Sequence, residues 1–95
     1  MIESFGDRAT EELYHGIISA RARRFPKDIL PAALRKMDML NAAHNIEDLR
    51  VPPGNRLEAL RGDMKEFHSI RVNDRWRIVF KWRGGAHDVS LCDYH

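Results

Sequence analysis

Read for the spacing of its apolar positions, the chain changes period once, near its middle. Leu30, Ala33, Leu34, Met37 and Leu40 recur at i, i+3, i+4 and i+7 spacing, which predicts an amphipathic helix with Arg35, Lys36, Asp38 and Asn41 facing away. Asp28 is the expected cap, and Pro31 falls in the first turn, where a missing N–H costs nothing. An earlier helix is predicted from Ala9, Leu13 and Ile17, with Ser4 or Asp7 as cap and Gly16 as a weak point. Ile2 to Phe5 reads as a short opening strand, and 21–27 as a basic connector ending in Phe25-Pro26. Pro52-Pro53-Gly54 stops regular structure, and after it the period becomes two. Residues 56–60, 66–72, 75–82 and 87–94 are predicted strands, the last three joined by two-residue turns at Asn73-Asp74 and Gly84-Gly85. The expected class is α+β, with two N-terminal helices packed on one face of an antiparallel sheet.

Two-residue turns fix which side chains share a face, because directly opposed residues point the same way. Phe67, Trp76, Ile78, Phe80 and Trp82, extended by Val89 and Leu91, then form an oily face under the helices. The opposite face gathers His68, Arg75, Arg77 and Lys81, together with Ile70, Val72, Val79, Ser90, Cys92 and Tyr94, and its one acid is Asp88 opposite Lys81.

Length and charge narrow the function. Ninety-five residues suit one domain, since separate cores rarely form below about 50 residues each. No apolar run approaches the ~18 residues of a membrane-spanning helix, no signal-peptide core opens the chain, and the single Cys92 excludes an internal disulfide. The expectation is a cytoplasmic protein with no cofactor, no metal and no membrane partner. The formal charge of +2 is unevenly spread: residues 50–83 hold nine Lys or Arg against four Asp or Glu. Arginine outnumbers lysine twelve to four, and its planar fork grips phosphate bidentately. A polyanion partner, nucleic acid first, is weighed here against an ordinary solvated surface. The terminal Asp93-Tyr94-His95 adds a carboxylate, a phenol and an imidazole, a combination suited to acid–base chemistry near neutrality; its alternative is a frayed tail. Strict alternation sets Asp93 and His95 on the face opposite Tyr94, so the three converge only if the chain end twists or bulges.

Ser4-Phe5, the run from Pro52 through Arg56-Leu57-Glu58-Ala59-Leu60-Arg61 to Gly62, the block His68-Ser69-Ile70-Arg71-Val72-Asn73-Asp74-Arg75-Trp76-Arg77, and the terminal Asp93-Tyr94-His95 together resemble HigB-type toxins of the RelE/ParE superfamily. The likeness implies a RelE-like microbial RNase fold over residues 1–95. It implies ribosome-dependent cleavage of mRNA, neutralised by a HigA-like helix-turn-helix antitoxin through which operator DNA is met only indirectly. The ParE branch, which inhibits DNA gyrase by binding, is the alternative, and a purely regulatory binding module is a third. The family motif places Asp93, Tyr94 and His95 at the active site: Asp93 as base or orienter, His95 as proton carrier, Tyr94 on a nucleotide or phosphate. Arg77 best suits the phosphate clamp, with Arg61 second, and Arg75, Lys81 and His68 are the expected RNA-binding side chains. Glu58 and Arg61 stand where the best-known family pattern has His and Lys. Glu58 is then a candidate base, whereas Arg61 keeps the charge but does not donate a proton. That departure implies a redistributed chemistry or a weakened toxin.

Overall fold

Asp7 opens the first helix, α1 (Arg8–Tyr14), by accepting the Thr10 N–H at 2.7 Å, which satisfies one of the free N–H groups of the first turn. The helix stops well before Ile17. Gly16 turns the chain with φ +73°, and Ile17, the third residue of the expected stripe, is 51% exposed. These features come from a computed structural model, which describes residues 1–93. The connector forms two 3₁₀ turns, Ala22–Arg24 and Lys27–Ile29. The second displaces the expected Asp28 cap: α2 (Leu30–Ala42) follows Ile29 without a side-chain cap, with Pro31 in its first turn as expected. Ala33, Met37 and Leu40 are fully buried, and Leu30 and Leu34 pack against them.

One residue of the presumed outer stripe is misassigned. Lys36 is buried, and its Nζ donates to Oδ1 of Asn55, itself wholly enclosed in the following loop. Burial, reinforced by the positive charges of Arg35 and Arg71, holds the Lys36 pKa below the ordinary lysine value.

Four antiparallel strands lie in chain order: β1 (Glu58–Ala59), β2 (Phe67–Arg71), β3 (Trp76–Trp82) and β4 (Ala86–Asp93). The expected α+β class is observed, although β1 is only two residues long. Segment 2–5 runs parallel to β4, with bridges at Ile2–Ala86 and Phe5–Val89, so the opening strand covers that edge. The approach is close: a Cβ on Gly6 would fall 2.4 Å from the Ser90 hydroxyl. Thr10 continues the cover, its hydroxyl accepting the Leu91 N–H at 3.0 Å. Thus α1 docks along β4, while α2 packs on β3 and β4 over a core that includes Phe25, Ile70, Ile78, Phe80 and Val89.

The turn between β2 and β3 corrects the expected register. Ile70 opposes Ile78, and Ser69 opposes Val79, so three residues rather than two span the gap. Asn73 explains the extra residue, because its Oδ1 accepts the N–H of both Arg75 and Trp76 at 2.8 Å. A one-residue slip exchanges the two faces of β2. Ile70 therefore joins the core, Phe67 moves to the polar face opposite Lys81, and His68 moves off that face. His68 stacks on Phe80 with ring centroids 6.2 Å apart, and its Nδ1 is buried without a hydrogen-bond partner among the described residues. The β3–β4 turn also gains a residue, with Trp82 opposite Ala86, but a bulge at Asp88 (φ +53°) takes it up. Beyond the bulge, Val79 pairs with Ser90, Ile78 with Leu91 and Arg77 with Cys92, the register expected from sequence.

Candidate active site on the outer sheet face

Arg77, the second residue of β3, lies on the face turned away from α2. Its register partners on either side are Arg71 and Cys92. Three groups fix its guanidinium. Nε donates to the Ser69 hydroxyl at 2.8 Å, Nη2 donates to the Arg56 carbonyl at 2.8 Å, and Nη1 lies 3.3 Å from the Glu58 carboxylate. Ser69 reaches this spot because the corrected register turns it outward opposite Glu58 and Val79. The side chain of Arg77 is only 13% exposed, against 53% for Glu58, so the cation is anchored from below and the carboxylate stands at the rim. A guanidinium has five N–H donors, and these three contacts leave two for an incoming anion. Ser69 and Arg56 were not singled out from sequence. Ser69 follows directly once the turn length is known; the carbonyl of Arg56 carries no sequence signal.

The expected basic face thus holds Arg77, Lys81 and, newly, Arg71, and the acids around it are more numerous than Asp88 alone. Lys81 lies 3.4 Å from Asp88 and 5.1 Å over the Phe67 ring, a cation–π contact. Arg71 pairs with Asp74. Arg75 lies in the turn rather than on the strand face, and its guanidinium meets the Asp93 carboxylate through both Nε and Nη2. Asp93 opposes Trp76, on the Leu91 side of β4, so the expected alternation holds as far as the described residues reach. Tyr94, the final residue expected for the last strand, and His95 lie outside the described residues. Arg61 is exposed and shares a shallow recess with Glu58 and Leu60. His68 is separated from these groups by the sheet.

Beside the Arg77 cluster lies an open cleft of about 390 Å³, walled by Phe5, Met64, Phe67, Val79, Ser90 and Cys92. Burial, then the nearby charge of Asp7, pushes the Cys92 thiol pKa above its ordinary value, so the thiol is a poor nucleophile at neutral pH. Among the described residues no group of three His, Cys, Asp or Glu side chains could hold a metal ion, and no helix is long and apolar enough to cross a membrane. What the face offers is a fixed guanidinium with spare donors, an adjacent carboxylate and an aromatic ring under an ammonium group. That set can hold a phosphodiester and a neighbouring base.

An α+β chain with this short antiparallel sheet and this arginine-centred face fits the RelE-like toxins. Residues 3–95 match the family model of HigB-like toxins, described as the RelE-like toxin of the type II toxin–antitoxin system HigB, and the chain belongs to that family. It is 40% identical, over 95 residues, to Toxin HigB-1 of Vibrio cholerae serotype O1, an alignment spanning 100% of this chain and 98% of that protein. It is also 36% identical over 72 residues to an uncharacterized protein of Haemophilus influenzae, covering 76% of this chain and 71% of the relative. The resemblance read from the runs 52–62 and 68–77 is thereby borne out at the level of family. As a HigB toxin of a type II system, the chain implies an antitoxin partner.

Proposed function

We propose that this toxin is a metal-independent endoribonuclease that cuts messenger RNA on the ribosome, in the cytoplasm, and is restrained by a HigA-like helix-turn-helix antitoxin that alone contacts operator DNA. The observation that carries this reading is the Arg77 guanidinium, immobilised by Ser69, Arg56 and Glu58 with donors to spare. A preorganised cation of this kind stabilises charge that builds on a phosphate during transfer. Cleavage requires the 2′-hydroxyl to lose a proton as its oxygen attacks phosphorus, and the departing 5′-oxygen to gain one. Glu58 is the candidate base, a role supported by its carboxylate lying 3.3 Å from the arginine that would hold the phosphate. Arg61, in the recess beside Glu58, gives a second charge for the phosphate. Asp93 orients His95, the proton carrier, and Tyr94 stacks on a nucleotide; these three roles rest on the family motif. Lys81 and Arg75 steer the RNA backbone, and the Phe67 ring offers a base-stacking surface.

Purified ribosomes programmed with a defined message test this reading. Incubation with the protein should yield new RNA ends with ribosomes present and none on naked message, while gyrase supercoiling proceeds unaffected. Intact message together with arrested supercoiling would instead assign the chain to the gyrase-binding mode of the ParE branch.

A further inference from the structure

The aim of Arg77 is set partly from the other side of the sheet. One of its three anchors is a backbone carbonyl, that of Arg56, and Arg56 occupies the left-handed region at φ 46°, ψ 54°. Non-glycine residues adopt that conformation only where their surroundings over-determine it. Here the surroundings are those of the preceding residue. Asn55 is fully buried, and every polar atom of its side chain is engaged. Its amide nitrogen donates to the carbonyls of Leu49 at 3.0 Å and Val51 at 3.4 Å, while its oxygen accepts from the buried Nζ of Lys36 on α2. Its backbone N–H is bonded to Pro52 O at 2.9 Å, and that of Arg56 to Pro53 O at 3.1 Å. Hydrogen bonds, joined by the covalent Asn55–Arg56 link, therefore connect the middle of α2 to the Arg77 guanidinium.

We propose that Asn55, braced by Lys36, is a positioning residue that aims Arg77 by fixing the Arg56 carbonyl. The proposal rests on the nuclease reading for its effect on rate, but not for its geometry. A buried lysine is a costly way to hold a loop, since the ammonium must be stripped of water, and a simple apolar contact would pin 51–56 more cheaply. The lysine–amide bond instead gives direction: it fixes which way the Asn55 amide faces, and with it the one backbone conformation that presents the Arg56 oxygen to Arg77.

Lys36→Met keeps the buried stem and deletes the donor. Asn55→Asp keeps an acceptor for Lys36 and deletes both amide donors. The direct readout is the ¹⁵N-resolved Nε–H signal of Arg77 in the free toxin, which needs no activity. In folded Lys36→Met and Asn55→Asp proteins that signal should shift and exchange faster with solvent than in wild type. Single-turnover cutting of ribosome-bound message should fall about 10-fold, with affinity for the ribosome unchanged, as expected when a reacting group is misplaced by a fraction of an ångström. An unmoved Arg77 signal in both folded variants would overturn the proposal, as would a rate loss no larger than the unfolded fraction. If the wild-type protein cuts no message at all, the nuclease reading fails, and the Arg77 signal alone still decides whether Asn55 sets the arginine.

Discussion

Arg77→Ala should lower the rate of message cleavage by about 10²–10³-fold, equivalent to roughly 3 kcal/mol of lost transition-state stabilisation, and should abolish visible growth inhibition. The size follows from the geometry. The guanidinium is 13% exposed and triply anchored, so on the proposed reading it would meet the phosphate already oriented, and Arg61, exposed in the neighbouring recess, would replace its charge only in part. Ser69→Ala is the control, because it removes one anchor and leaves the cation in place. Its loss should be several-fold at most, and both variants should retain the wild-type circular dichroism spectrum. An Arg77→Ala protein that cuts as fast as wild type would move the active site off this face.

Phe80→Ala should destabilise the protein by about 3–5 kcal/mol, a large fraction of what a domain this small possesses. Phe80 is fully buried at the centre of β3, stacked on His68 and edge-on to Trp82 with centroids 6.4 Å apart. Truncation leaves a ring-sized void between the sheet and α2 that Met37 and Leu40, also fully buried, have little freedom to fill. Chemical denaturation followed by tryptophan fluorescence measures the loss, since Trp76 and Trp82 flank this core. A melting temperature within a few degrees of wild type would contradict the placement of Phe80 at the centre of the packing.

The core was legible because period alone decides it. The 3.6-residue stripe of α2 and the alternation of β3 name Ala33, Met37, Leu40, Ile78 and Phe80, and all five are fully buried. Register was legible only where errors cancelled. In β4 the longer turn and the Asp88 bulge offset one another, so Val89 and Leu91 point inward as expected. In β2 nothing compensates for the Asn73-capped turn, and His68 and Phe67 change places. Of the candidate site, Arg77, Glu58 and Lys81 could be named from charge and motif, and the face does gather them. Their partners could not be named, because an ion pair such as Arg75 with Asp93 joins residues eighteen apart through a register that sequence gives only approximately. Lys36 and Asn55 were invisible for a different reason. A polar residue on the outer stripe of a helix looks solvated until the loop that buries it is in place.

The most direct measurement is the single-turnover rate at which ribosome-bound message is cut by the full chain, set beside a chain ending at Asp93. Every core residue among the described residues precedes that point, so the shortened protein should melt with the full chain and bind the same antitoxin. The account predicts that the full chain cuts and that the shortened chain, lacking Tyr94 and His95, cuts about 10²–10⁴-fold more slowly, the usual cost of losing an acid–base group. Equal rates would make the terminal residues structural and return the chemistry to other groups, and a full chain that never cuts message while blocking gyrase would contradict the account as a whole.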